Sequence, residues 1–146
     1  MFTTEIRVRF YELDPYNHVN HTAYLGYFET ARVEALAAAG YGLDVMKEQG
    51  FQIVLVEVTA RFLKPATLHE TLSITTEVVE IARSTSRWHQ EMSRGDDRIA
   101  TLDVRAAFTD LEGRPVRAPA GFAEAFVYAP TKPATQASTG SDTSSA

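Results

Sequence analysis

Asp14-Pro-Tyr-Asn-His-Val-Asn-His21 gathers an acid, a proline, two histidines and two asparagines into one short run. A carboxylate can attack a carbonyl carbon or take a proton from water. The residues that follow have helical apolar spacing, and the first N–H groups of a helix have no partner inside it. The helix dipole adds partial positive charge at that end. A loop that feeds a helix can therefore supply a base or nucleophile together with donors for a developing oxyanion. That combination is what acyl transfer needs. The plainer reading of Asp14 is a loop acid closing an Asx-turn. Asp14, His18 and His21 also have the residue types of a metal site, but no fourth ligand is suggested and no metal is expected.

The flanking segments decide where this loop sits. Thr3–Tyr11 alternates, with Ile6, Val8 and Phe10 on one face and Arg7 and Arg9 on the other, the pattern of a half-buried strand. Pro15 disfavours helical geometry at Asp14. Asn20 or Asn17 is placed to cap a helix running to about Ala39, with Gly40 as its stop. Ala23, Tyr24, Tyr27, Phe28, Ala31, Ala35 and Leu36 recur at helical spacing, and Leu25, Val33, Ala37 and Ala38 widen the stripe. So wide a stripe predicts burial on most sides. From Phe51 the period changes to two. Gln52–Leu63, Leu68–Ile81, Thr85–Ser93 and Ile99–Asp110 read as four strands joined by meander turns. Pro119–Phe126 reads as a short helix. From Pro130 the chain is Thr, Ser, Ala, Gly and Pro, which predicts a flexible tail over 130–146 and a folded domain over 1–129.

One apolar helix against one face of a five-stranded, mainly antiparallel sheet is an α+β layer arrangement. The 146-residue chain is 45% hydrophobic and 23% charged, ordinary for one globular domain. A net charge of −5 argues against a nucleic-acid partner. The absence of cysteine excludes disulfides, thiolate metal sites and a cysteine nucleophile. No apolar run approaches a bilayer span, so no membrane partner is expected and a cytoplasmic location is. Open edges on long strands are a liability, and pairing between two copies would remove one, so a homo-oligomer is expected.

This order of elements, with this motif, resembles the hotdog-fold thioesterases of the 4-hydroxybenzoyl-CoA thioesterase-like group. The matching residues are Arg9-Phe-Tyr-Glu-Leu-Asp14, His18-Val-Asn-His21, Tyr24, Tyr27-Phe-Glu-Thr-Ala-Arg32 and the strand end Arg61-Phe-Leu-Lys-Pro65. They fall within about residues 3–128. At Asn17 the family usually has Gly; Asn tolerates the left-handed conformation better than most residues.

The resemblance implies a hotdog fold, with a long central helix wrapped by the sheet. It implies hydrolysis of an acyl-CoA or acyl-carrier-protein thioester without metal or other cofactor. Asp14 then attacks the carbonyl or activates water, and the His21 N–H binds the oxyanion. His18 and Tyr24 become candidates for substrate contact, and Arg83, Ser84 and Thr85, at the turn between two strands, for the coenzyme A phosphates. The site is expected between the subunits of a dimer or tetramer. Glu29 and Arg32 are helix neighbours and are expected to form an ion pair. Glu57 is a further carboxylate of open placement, and His69 and His89 read as ordinary sheet residues. Two rival functions remain on the sequence: a hotdog enoyl-thioester hydratase or dehydratase, whose D-x-N-x-x-H order is not found here, and a non-catalytic acyl-CoA-binding hotdog protein.

Overall fold

The computed structural model describes residues 1–127 and 133–134. Five strands carry the sheet: β1 (Phe2–Arg7), β2 (Phe51–Phe62), β3 (Thr71–Ile81), β4 (Thr85–Arg94) and β5 (Asp97–Asp110). Their spatial order is β2-β5-β4-β3-β1, and every neighbouring pair is antiparallel. A two-residue stretch, β6 (Pro133–Ala134), adds to the free side of β1 in parallel. The β4–β5 hairpin turns in two residues. Gly95 takes φ +60 at the first central position, where a side chain would be strained. The rest of the tail expectation, over 130–146, lies outside the described residues.

Three helices complete the fold: α1 (His21–Ala38), α2 (Leu43–Gln49) and α3 (Phe122–Val127). α1 starts where its cap allows. The Asn20 side chain accepts the Thr22 N–H at 2.9 Å and the Thr22 hydroxyl at 2.8 Å, satisfying one of the orphan donors. Gly40, at φ +94, ends it. Tyr24, Tyr27, Phe28, Ala31, Ala35 and Leu36 are buried. Ala35 meets Phe2, and the others pack on the sheet face formed by Ile6, Leu72, Ile74, Trp88, Met92 and Val104. This is the α+β architecture, with an 18-residue helix across one sheet face.

Two expectations are corrected. The first strand ends at Arg7, and Phe10 enters a single 3-10 turn, Phe10–Glu12, where it is 74% exposed. Val8 stays buried because backbone bonds with Glu70 and His69 continue its pairing past the strand end. The second correction concerns the helix. In this chain only one side of α1 is covered, and Leu25, Ala37 and Ala38 are exposed. The β2 edge matches it: Val54, Leu55, Val56, Val58 and Phe62 are all exposed large apolar residues. A bulge between Leu55 and Glu57 bends that edge.

Candidate active site

The loop from Leu13 to Val19 is a closed clasp. Leu13 and Val19 form an antiparallel bridge. The Asp14 N–H donates to the His18 carbonyl at 2.7 Å, and the Asn20 N–H to the Glu12 carbonyl at 2.7 Å. Asn17 takes φ +64 at the tip, the conformation its side chain tolerates. Inside the clasp, Asp14 Oδ1 accepts the N–H of Tyr16 at 2.8 Å and that of His18 at 3.1 Å. The Asx-turn is thus real. It uses one carboxylate oxygen and leaves Oδ2 without a protein donor among the described residues. A carboxylate held through one oxygen is oriented while the other stays available.

The clasp closes directly onto the first turn of α1. Ala23 and Tyr24 donate to the Asn20 carbonyl and Thr22 to the Asn20 side chain. The His21 N–H donates to nothing among the described residues. The imidazoles of His18 and His21 are exposed. The bridge therefore brings Asp14 and the unfilled N-terminal donor of α1 to one end of the protein.

Buried groups behind the clasp fix its position. The Tyr24 hydroxyl accepts the Ala66 N–H at 3.0 Å, while the Val19 N–H donates to the Ala66 carbonyl at 2.9 Å. Ala66 lies in a loop tied by Arg94, which donates to the Pro65 carbonyl at 3.1 Å and to Glu70 at 2.8 Å. Tyr24 is thus a buried brace, with its ring 5.2 Å from that of Phe62. Burial raises its pKa. Beside it, the Tyr27 hydroxyl donates to Glu12 Oε1 at 2.6 Å, and Arg9 donates to the same carboxylate through its backbone and side chain. Burial first, and the Glu12 bond second, push the Tyr27 phenol well above its ordinary value.

Arg83, Ser84 and Thr85 lie elsewhere. They follow β3 at its Ile81 end, whereas the Asp14 clasp sits at the Thr71 end, paired to Arg7. A strand of this length separates the two by about 33 Å. The fold of the chain does not bring them together. Glu57 is mid-strand on the β2 edge, 3.9 Å from Arg105. His69 is exposed in a loop with φ +68, not within a strand. His89 is on β4, with Nδ1 2.8 Å from Asp103 and Nε2 3.0 Å from Glu91. Those two bonds raise its pKa, the Glu91 bond contributing most.

The expected Glu29–Arg32 pair is replaced. Arg32 Nη1 donates to Gln90 Oε1 at 2.9 Å, and no carboxylate lies within ion-pair distance of Arg32 among the described residues. Fully buried Gln90 also donates to the Phe28 carbonyl at 3.0 Å and to the Thr76 hydroxyl at 2.9 Å. Helix spacing pointed to Glu29, but side-chain direction turned Arg32 toward the sheet. The signal was legible: Gln90 is a polar residue between inward-facing Trp88 and Met92. The Glu12–Tyr27 bond had no such signal, since it joins a loop to a helix. No group of three or more metal-ligating side chains with suitable geometry occurs among the described residues.

A single long helix lying across one face of a five-stranded antiparallel sheet is the hotdog architecture. The profile of the thioesterase-like superfamily matches residues 8–126, and the chain belongs to that family. Acyl-CoA thioesterase YbgC of Haemophilus influenzae is 28% identical over 127 residues, covering 86% of this chain and 93% of that protein. The chloroplastic acyl-acyl carrier protein thioesterase ATL3 of Arabidopsis thaliana is 25% identical over 126 residues, covering 85% of this chain and 66% of that protein. A crystal structure of a hypothetical protein from Aquifex aeolicus superposes with a TM-score of 0.82 at 26% identity, over 86% of this chain and 99% of the other. No helix among the described residues is long and apolar enough to cross a membrane.

Proposed function

We propose that this enzyme hydrolyses acyl-CoA or acyl-carrier-protein thioesters, with Asp14 as base or nucleophile and the His21 N–H as oxyanion donor. The observation that carries this reading is the half-used carboxylate. Asp14 Oδ1 is bonded by two backbone N–H groups, Oδ2 has no donor among the described residues, and the clasp that holds it runs directly into α1. The relatives named above, which act on CoA and carrier-protein thioesters, support the substrate class.

Two routes fit this geometry. In one, Asp14 attacks the thioester carbonyl, the C–S bond breaks, the thiolate takes a proton, and water opens the resulting anhydride. In the other, Asp14 takes a proton from water, whose oxygen attacks the same carbon; the C–S bond then breaks and the leaving thiolate takes the proton back from Asp14. Both place negative charge on the carbonyl oxygen, where the His21 N–H and the α1 dipole favour it. Single turnover in ¹⁸O-water tests the first route: label in Asp14 marks an anhydride opened at the Asp14 carbonyl, a result the second route does not give.

The same reading includes a homodimer joined at β2. Among the described residues, strand β2 is an unpaired edge with an apolar surface. Antiparallel pairing of β2 with a second copy about a twofold axis sets the Phe62 end of one strand beside the Phe51 end of the other. That arrangement moves the Asp14 end of one protomer toward the Arg83–Thr85 end of its partner, which supports a site built from both. Thiol release from aromatic, short, medium and long acyl-CoAs tests the reaction. Binding of all these substrates without thiol release would overturn it.

A further inference from the structure

A second cleft lies away from the Asp14 clasp, between α1, α2 and the inner face of β5. Its volume is about 130 Å³. Leu36, Met46, Trp88, Val104 and Ala106 line it, with Leu43 and Leu55 at the rim. For comparison, an apolar cavity of roughly 150 Å³ holds one benzene ring. The cleft's α1 residues begin at Glu29, about 12 Å along the helix from His21. It is therefore separate from the clasp of the same protomer.

One wall of this apolar cleft is a cation. Arg32 lines it and is mostly buried. Its only bonded partner among the described residues is Gln90 Oε1. Gln90 cannot turn away, because both of its amide donations are taken, by the Phe28 carbonyl and Thr76. Arg32 is thus oriented through one nitrogen, with the rest of its planar donor fork unmatched. Burial lowers its pKa, and the Glu29 charge opposes that shift without reaching ion-pair distance. Glu29 also lines the cleft, but it is exposed to solvent and makes no ion pair with Arg32.

From this juxtaposition we infer that the α1–α2–β5 cleft binds a small organic carboxylate, its acid group on Arg32 and its hydrocarbon body against Trp88, Met46 and Leu36. A carboxylate matches the guanidinium fork in two parallel bonds and its single charge. The volume admits one ring or a short aliphatic chain. Leu55 belongs to the proposed dimer edge, so the ligand would sit beside that seam. This inference does not depend on the role of Asp14.

Trp88 is the sole tryptophan, so its fluorescence reports the cleft directly. The probes are sodium hexanoate and sodium benzoate, with hexanamide and benzamide as uncharged matches. The expected result is a saturable Trp88 change with the acids, at least about tenfold weaker with the amides. Arg32→Gln should weaken acid binding by a similar factor. Leu43→Glu sits on the exposed rim, where it does not threaten folding, and should weaken it by placing a like charge at the mouth. Glu29→Gln should tighten it, and Asp14→Asn should leave it unchanged. Equal binding of acid and amide, or no saturable signal in the folded wild type, would overturn the inference.

Discussion

Asp14→Asn separates the two roles of this side chain. Asparagine keeps Oδ1, so the bonds from the Tyr16 and His18 N–H groups survive. The clasp should therefore keep its shape. What is lost is the charge near the N-terminus of α1, about 0.3–1 kcal/mol of stability. For a domain of this size that is a fall in Tm of about 4 °C or less. Turnover should fall far more, by roughly 10²–10⁴-fold, as expected when a base or nucleophile is removed. Asp14→Ala gives the contrast: it should lose the same activity and, in addition, about 1–2 kcal/mol from two backbone donors left to water. The assays are thiol release at saturating acyl-CoA and urea denaturation of each variant. Near-wild-type turnover in folded Asp14→Asn would remove Asp14 from the mechanism. Equal destabilisation by Asn and Ala would refute the account of the clasp.

Tyr27→Phe should cost about 1–2 kcal/mol in urea denaturation, because the Glu12 carboxylate, only 14% exposed, loses its 2.6 Å donor. His89 gives a pH test. Its folded pKa is raised above the ordinary 6.5 by Glu91 and Asp103. Its stabilising contribution is therefore complete below that value and lost as pH rises through the higher folded value. A Tm profile from pH 5 to 9 should show this fall in the wild type, and His89→Gln should flatten it; an unchanged profile would show that the two bonds carry no net stability. Light scattering at micromolar concentration should give at least twice the chain mass of 16.2 kDa. A fully active monomer would sink the proposed β2 seam and the shared site.

Local sequence determined what local physics controls. Alternation at Ile6 and Val8 marked the inward face of the first strand because side chains on a strand must alternate. Asn20 and Gly40 bounded α1 because caps and left-handed stops act within a few residues. The clasp motif was legible for the same reason: Asp14, Asn17 and His18 bond to one another across very short separations. Tertiary structure decided the partners that come from far along the chain. Spacing alone paired Arg32 with Glu29, yet Gln90, 58 residues away, holds it instead. The Tyr24 hydroxyl accepts from the Ala66 N–H, 42 residues away, a partner that no helix spacing names. Arg83–Thr85 was set apart from Asp14 by the direction of β3, which is a property of strand order. No window of sequence contains that order, because the burial that stabilises it is shared by the whole sheet and α1.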